Sequence, residues 1–140
     1  MKLQIASQLA IHALLELAAQ PDRQLTVAQI GEKYGVSSHH LAKVMNTLGR
    51  AGLVRSVRGA GGGYQFAGNA RRTTLLDVMQ LFEQLGAGGT SGRATGKATD
   101  AERAMLGVFR EIDDMARATL GSITIATMLK LVDRAALDRR

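Results

Sequence analysis

Apolar residues recur at helical spacing from the start of the chain. Ile5, Ala6, Leu9, Ala10, Ala13, Leu14 and Leu17 form one stripe between Leu3 and Ala19, with no glycine or proline among them. The pattern predicts a first helix that stops before Pro21. His12 lies beside the stripe and reads as a core-edge side chain, since one histidine does not make a metal site. Thr26 and Gln29 then have the spacing of a capping box, opening a short second helix over Val27 to Tyr34.

Gly35, Val36 and Ser37 predict a sharp connection, because glycine can adopt a left-handed backbone and Ser37 can cap the next helix. Two short helices joined by such a turn make the helix-turn-helix pattern. On the third helix Leu41, Val44, Met45 and Leu48 share a face. At about 100° per residue, His39, Lys43, Asn46 and Arg50 fall opposite, with His40 and Thr47 at the flanks. That face has donors for phosphates and base edges and no acidic group to repel them. An ordinary solvated helix face would look the same, so the next segment matters.

Gly52 is placed to end the third helix. Leu53 to Val57 is apolar and β-branched, Gly59 to Gly63 is glycine at every position but Ala60, and Tyr64, Gln65 and Phe66 resume a strand. This predicts a hairpin with a flexible tip, flanked by Arg55 and Arg58: a basic wing beside a candidate recognition helix. A phosphate-binding loop is disfavoured, because the glycines precede a strand rather than a helix, Tyr64 stands where a dinucleotide fingerprint needs glycine, and no GK[ST] occurs.

Thr74 and Asp77 cap a further helix through Leu85, striped by Leu75, Val78, Met79 and Phe82. Residues 86–99 are small, polar and aperiodic, which predicts a mobile loop. Order resumes at a third capping box, Thr99 with Glu102, and runs to Leu120 before Gly121 ends it. Met105, Phe109, Ile112 and Ala116 line this helix, broadened by Leu106, Val108 and Met115. So wide a face beyond a loop is expected to meet a second copy of the chain, folding back on its own subunit being the alternative. A final helix, capped by Thr124, carries Ala126, Met128, Leu129 and Val132. The division expected is residues 1–85 as a winged helix-turn-helix unit, 86–99 as a flexible connection and 100–140 as a helical dimerisation arm. The fold class is mainly α with a two-stranded β wing.

Charge reinforces the hairpin reading. Between Glu32 and Asp77 there is no acidic residue, while Lys33, Lys43, Arg50, Arg55, Arg58, Arg71 and Arg72 all lie inside. Removing these seven from the chain's 18 Lys and Arg leaves 11 cations against 12 Asp and Glu, so the net +6 is local. With no long apolar run and no leader pattern, a cytoplasmic, non-membrane protein is expected. Cysteine is absent, which removes disulfides, thiolate catalysis and cysteine-ligated clusters. No nucleophile with a placed base, purposeful carboxylate pair or histidine cluster points to an enzyme.

The segments MKLQIASQLAIHALLELA, YGVSSHHLAKVMNTLGRAGLV, SVRGAGGGYQF, LLDVMQLFEQL and SITIATML, in that order, resemble the Rrf-two family of bacterial transcriptional regulators over nearly the whole chain. The YGVSxxHLxKxMNxL pattern is similar to the family's nitric-oxide-sensitive branch. The resemblance implies a homodimeric winged-helix repressor that docks two recognition helices in successive major grooves, its wings reaching minor groove or backbone. Sensing members carry three cysteines in the region matching residues 86–99 and the following helix start, and some add a first-helix ligand where Gln8 and His12 stand here. Without thiolates no cofactor is expected.

His39, Lys43 and Asn46 are therefore expected at base edges of double-stranded DNA, with Ser38 and His40 beside them. Arg50, Arg55, Arg58 and Arg71 are expected at phosphates or the minor groove of a pseudo-palindromic operator. Met105, Phe109, Ile112 and Ala116 are the expected dimer contacts. Signal could enter through a small molecule between the wing unit and the C-terminal helices, through a protein partner of the arm, or through protonation of His39 and His40 near pH 6.5. The alternative from another class is a protein-interaction regulator that keeps the scaffold without specific DNA binding.

Overall fold

Side-chain caps set the helix starts. In the computed structural model, which describes residues 3–59, 62–83 and 97–140, five of the six helices open on a Ser or Thr whose hydroxyl accepts from a backbone amide three residues on. These are α2 (Val27–Tyr34) behind Thr26, α3 (Ser38–Arg50) behind Ser37, α4 (Leu75–Met79) behind Thr74, α5 (Asp100–Ser122) behind Thr99, and α6 (Ile125–Asp138) behind Thr124. Thr26, Thr74 and Thr99 complete reciprocal boxes with Gln29, Asp77 and Glu102, as the spacing predicts. The exception is α1 (Ile5–Ala19), whose N-cap Gln4 makes no side-chain cap. Its anion comes from far along the chain: Glu83 accepts from the Gln4 amide at 3.1 Å and from the buried Ser7 hydroxyl at 3.0 Å.

The turn between α2 and α3 follows the expected chemistry. Gly35 is left-handed with φ 66, and Val36 donates back to the Gly31 carbonyl at 2.9 Å. Strands β1 (Val54–Val57) and β2 (Gly63–Phe66) pair antiparallel, with Val54 opposite Phe66 and Arg55 opposite Gln65. The wing base is wider than two strands. Leu25, in the connection after α1, exchanges backbone bonds with Tyr64 at 3.0 and 2.8 Å. A Cβ at Gly63 would lie 2.5 Å from the Leu25 carbonyl oxygen, so only glycine permits that approach. Residues 60–61 of the predicted tip lie outside the described residues, as do 86–96 of the predicted loop.

One hydrophobic core joins α1, α3, β1, α4 and the start of α6. Leu14, Leu17, Leu41, Met45, Leu48, Val78, Met79 and Ile125 are fully buried. The last of these was not anticipated from the periodicity of α6. The chain re-enters the first unit at this point: Leu75 donates to the Ile123 carbonyl, Ile125 to Thr73 and Ala126 to Ala70, at 2.8–2.9 Å.

Three predicted boundaries move. The fourth helix does not continue to Leu85. It ends at Met79 and tightens into turns through Glu83, with Phe82 donating to Met79 at 3.0 Å, a path that delivers Glu83 to the start of α1. Leu85 lies outside the described residues. Gly121 does not end α5, which continues to Ser122; a Cβ there would meet the Leu76 side chain at 3.4 Å, so the small residue serves close packing of α5 on α4. The first strand begins at Val54 rather than Leu53, because the Leu53 amide donates to the Leu48 carbonyl at 3.0 Å and closes the corner after α3.

Candidate nucleic-acid interface

The sidedness of α3 follows from its core contacts. Leu41, Val44, Met45 and Leu48 are buried against α1 and the wing base, which turns Ser38, His39, Lys43, Asn46 and Arg50 to solvent. His40 is also exposed, and its backbone amide is the donor to the Ser37 hydroxyl at 3.2 Å. Among the described residues no side-chain hydrogen bond or ion pair occupies His39, Lys43, Asn46 or Arg50. From His39 to Arg50 the row extends roughly 16 Å along the helix axis.

The wing arginines differ from each other. Arg58 follows β1 at the exposed end of the wing. Arg55 is also exposed, but its guanidinium is held: Nε and Nη2 both donate to Gln65 Oε1, at 3.1 and 2.8 Å. Arg71 lies on the turn before α4. Its amide donates to Asn69 Oδ1 at 3.0 Å while its side chain is exposed. Sequence reasoning missed Gln65, whose position opposite Arg55 becomes visible only once the strand register is known. It also missed Glu83, 76 residues from Ser7, for which no local signal exists.

A contrasting polar cluster lies on α1 and α2. Glu16 accepts from Lys33 Nζ at 2.5 Å and from the Tyr34 hydroxyl at 2.6 Å. Burial alone would raise the Glu16 carboxyl, but the hydrogen bonds from Lys33 and Tyr34 and the Lys33 charge hold it below the usual range. Burial, and then the bond to Glu16, pushes the Tyr34 hydroxyl well above its ordinary value. His12 is exposed and stacks on the Tyr34 ring at 4.6 Å between centroids. Beside this cluster a cleft of about 330 Å³ is lined by Glu16, Gln20, Arg23, Gln29 and Lys33 with Ala19, Leu25 and Ile30, none of them from α5 or α6.

Helix α5 has no buried residue. Met105, Phe109 and Ile112 are 56, 49 and 56% exposed, and Ala116 is half-buried. No described helix is long and apolar enough to cross a membrane.

Similarity to known proteins extends over the whole architecture. A family model described as an iron-dependent transcriptional regulator, Rrf2, matches residues 3–131. BadM of Rhodopseudomonas palustris, which carries the name of an HTH-type transcriptional regulator, is 47% identical over 133 residues, covering 95% of this chain and 84% of BadM. Among solved structures, IscR of T. potens superposes with a TM-score of 0.78 at 27% identity, covering 96% of this chain and 90% of IscR. The oxidized form of Staphylococcus aureus CymR superposes at 0.75 with 25% identity, covering 92% of this chain and 96% of CymR. The donors that would hold the iron of the family's description do not come together among the described residues. The chain has no cysteine, Gln8 Nε2 is turned back onto the Leu3 carbonyl at 3.1 Å, and His12 lies against Tyr34. Among the described residues no three His, Asp or Glu side chains converge on a metal position. The match over residues 3–131 and the 47% identity to BadM settle the affiliation: this chain belongs to the Rrf2 family of transcriptional regulators.

Proposed function

We propose that this regulator is a homodimeric, sequence-specific DNA-binding repressor that works without an iron–sulfur cluster. The observation that carries the reading is the outward face of α3, where Lys43, Asn46, His39 and Arg50 stand exposed and unpaired among the described residues, in a stretch of 44 residues without a carboxylate. Ser38 and His40 start the row, Arg55 and Arg58 extend it onto the wing, and Arg71 supplies a further phosphate donor. An α-helix with such a face fits the major groove, and a basic wing fits the adjoining backbone or minor groove. Residues 1–85 would form the DNA-binding unit and 100–140 the dimerisation arm, joined through 86–99. Support for the arm is the apolar row Met105, Phe109 and Ile112, each about half exposed, with Ala116 half-buried beside them. Signal would then enter through a small molecule or a protein partner, since thiolate donors are lacking.

Enrichment of duplexes from a random-sequence library, followed by footprinting, tests the reading. Two half-sites about one helical turn apart are expected. A single short asymmetric footprint would overturn the dimer, and no enrichment would overturn sequence-specific binding. Replacing Lys43 or Arg58 by Ala is expected to lower the salt dependence of binding by about one unit of slope. An unchanged slope would remove that residue from the interface.

A further inference from the structure

We infer that Gln65 is a positioning residue of the wing, which holds Arg55 with one edge of its guanidinium presented to a DNA phosphate. The inference rests on the DNA-binding reading and goes beyond it. Arg55 and Gln65 face each other across the β1–β2 ladder. Gln65 Oε1 accepts from both Nε and Nη2 of Arg55, and Gln65 Nε2 donates to the Asp22 carbonyl at 3.0 Å. A continuous chain of hydrogen bonds therefore runs from the turn after α1, through one amide side chain, to the arginine. Its base is fixed on both edges, since β2 bonds to β1 on one side and to Leu25 on the other.

The donor arithmetic gives the arrangement its purpose. Guanidinium has five N–H donors in a planar fork. Gln65 uses two of them on the Nε side, and among the described residues nothing holds the Nη1–Nη2 end, an edge that can pair bidentately with phosphate. The partner's chemistry matters as much as its place. A carboxylate opposite Arg55 would hold it equally well but cancel its charge, as Glu16 does for Lys33 elsewhere in this molecule. The neutral amide orders the arginine and leaves its charge intact. Ordering before binding removes the entropy that a free arginine would lose on the DNA.

The test uses the full chain and the duplex that the wild-type protein enriches most from a random library, with affinity measured over a range of salt. Arg55→Ala is expected to weaken binding roughly fivefold or more and to lower the salt slope by about one. Gln65→Leu is expected to weaken binding roughly threefold to tenfold with the slope retained, because the charge remains but is no longer ordered. Added to Arg55→Ala, Gln65→Leu should cost nothing further. Gln65→Glu, which keeps an acceptor for Arg55, should lower the slope by about one. An equal loss from Gln65→Leu with and without Arg55 would show that Gln65 acts by itself or through wing stability, and would overturn the positioning role while DNA binding stands. An Arg55→Ala protein with wild-type affinity and slope would overturn it as well. Should the wild-type protein enrich no duplex, the DNA-binding reading falls, and the positioning role with it.

Discussion

Helices α3 and α5 carry the same kind of pattern and meet opposite fates. Both put apolar side chains at three- and four-residue intervals along one face. In α3 that face is consumed by the chain's own core, where Leu41, Met45 and Leu48 are fully buried. In α5, almost twice as long, nothing is buried, and Met105, Phe109 and Ile112 remain about half exposed. Amphipathicity therefore says that a helix wants a partner, without saying whose. The polar faces differ in a complementary way. The α3 face lacks carboxylates altogether, whereas α5 intersperses Glu102, Glu111, Asp113 and Asp114 with Arg103, Arg110 and Arg117, the mixture of an ordinary solvated surface.

The largest effect expected from this contrast is on folding. Leu48→Ala should destabilise the protein by about 2–5 kcal/mol, the cost of a cavity in a packed core, at any protein concentration. Urea denaturation checks this, and a loss below about 1 kcal/mol would mean that the α3 face is not locked into the core. The paired change in α5 should behave differently. On the proposed dimer, Ile112→Asp is expected to leave the core intact but to shift sedimentation from dimer to monomer. With half of a bivalent grip lost, DNA affinity should fall by about a hundredfold. Unchanged sedimentation would remove the second copy as the cover of α5.

The same contrast explains what was legible in the chain beforehand. Caps were legible because each is local: Thr26, Ser37, Thr74, Thr99 and Thr124 sit three residues from their partners, and all five open helices. The exposed, carboxylate-free face of α3 was legible because periodicity and charge coincide within 13 residues. Contacts between distant residues were not. Ile125 looks like one apolar residue among several in α6, and its complete burial accompanies backbone bonds from Ile125 to Thr73 and from Ala126 to Ala70 that no spacing rule encodes. Gly121 carries the ordinary signature of a helix end, yet close packing on Leu76 overrides it. Arg55 was legible as a cation, whereas its restraint by Gln65 required the strand register.

Glu83 and Glu102 allow the contrast to be sharpened at smaller scale. Each carboxylate serves a helix N-terminus, but Glu102 caps its own helix whereas Glu83 reaches the start of α1 from 79 residues further along the chain. Glu83→Ala leaves the α1 start uncapped and deprives the buried Ser7 hydroxyl of its partner, for an expected loss of about 1–2 kcal/mol in urea denaturation. Glu102→Ala should cost only about 0.5 kcal/mol, since water reaches the exposed end of α5. Equal losses would mean that Glu83 does not tie α4 to α1 in solution.

An effect confined to one end of the pH range is expected at Glu16, the carboxylate that the α1–α2 face keeps paired while the α3 face has none. Its folded value lies below the ordinary 4.5, because hydrogen bonds from Lys33 and Tyr34 outweigh the opposing effect of burial. The sign follows from proton linkage: an acid whose folded value is depressed stabilises the fold above its unfolded value, and that stabilisation is lost as pH falls through the folded value. Tyr34 acts at the other end. Its folded value is raised above 10, so its contribution is complete below about pH 10 and declines at higher pH. Glu16→Gln should therefore lower stability by about 1 kcal/mol on the plateau between these limits, with the gap to wild type closing as pH falls below 4.5. Stability measured in urea from pH 3 to 8 checks it. A gap that stayed constant through acid pH would assign the effect to packing rather than to the charge. The α3 face, which carries no such pairing among the described residues, should show no corresponding acid limb when Asn46 is replaced by Ala, which makes the two faces distinguishable in one titration.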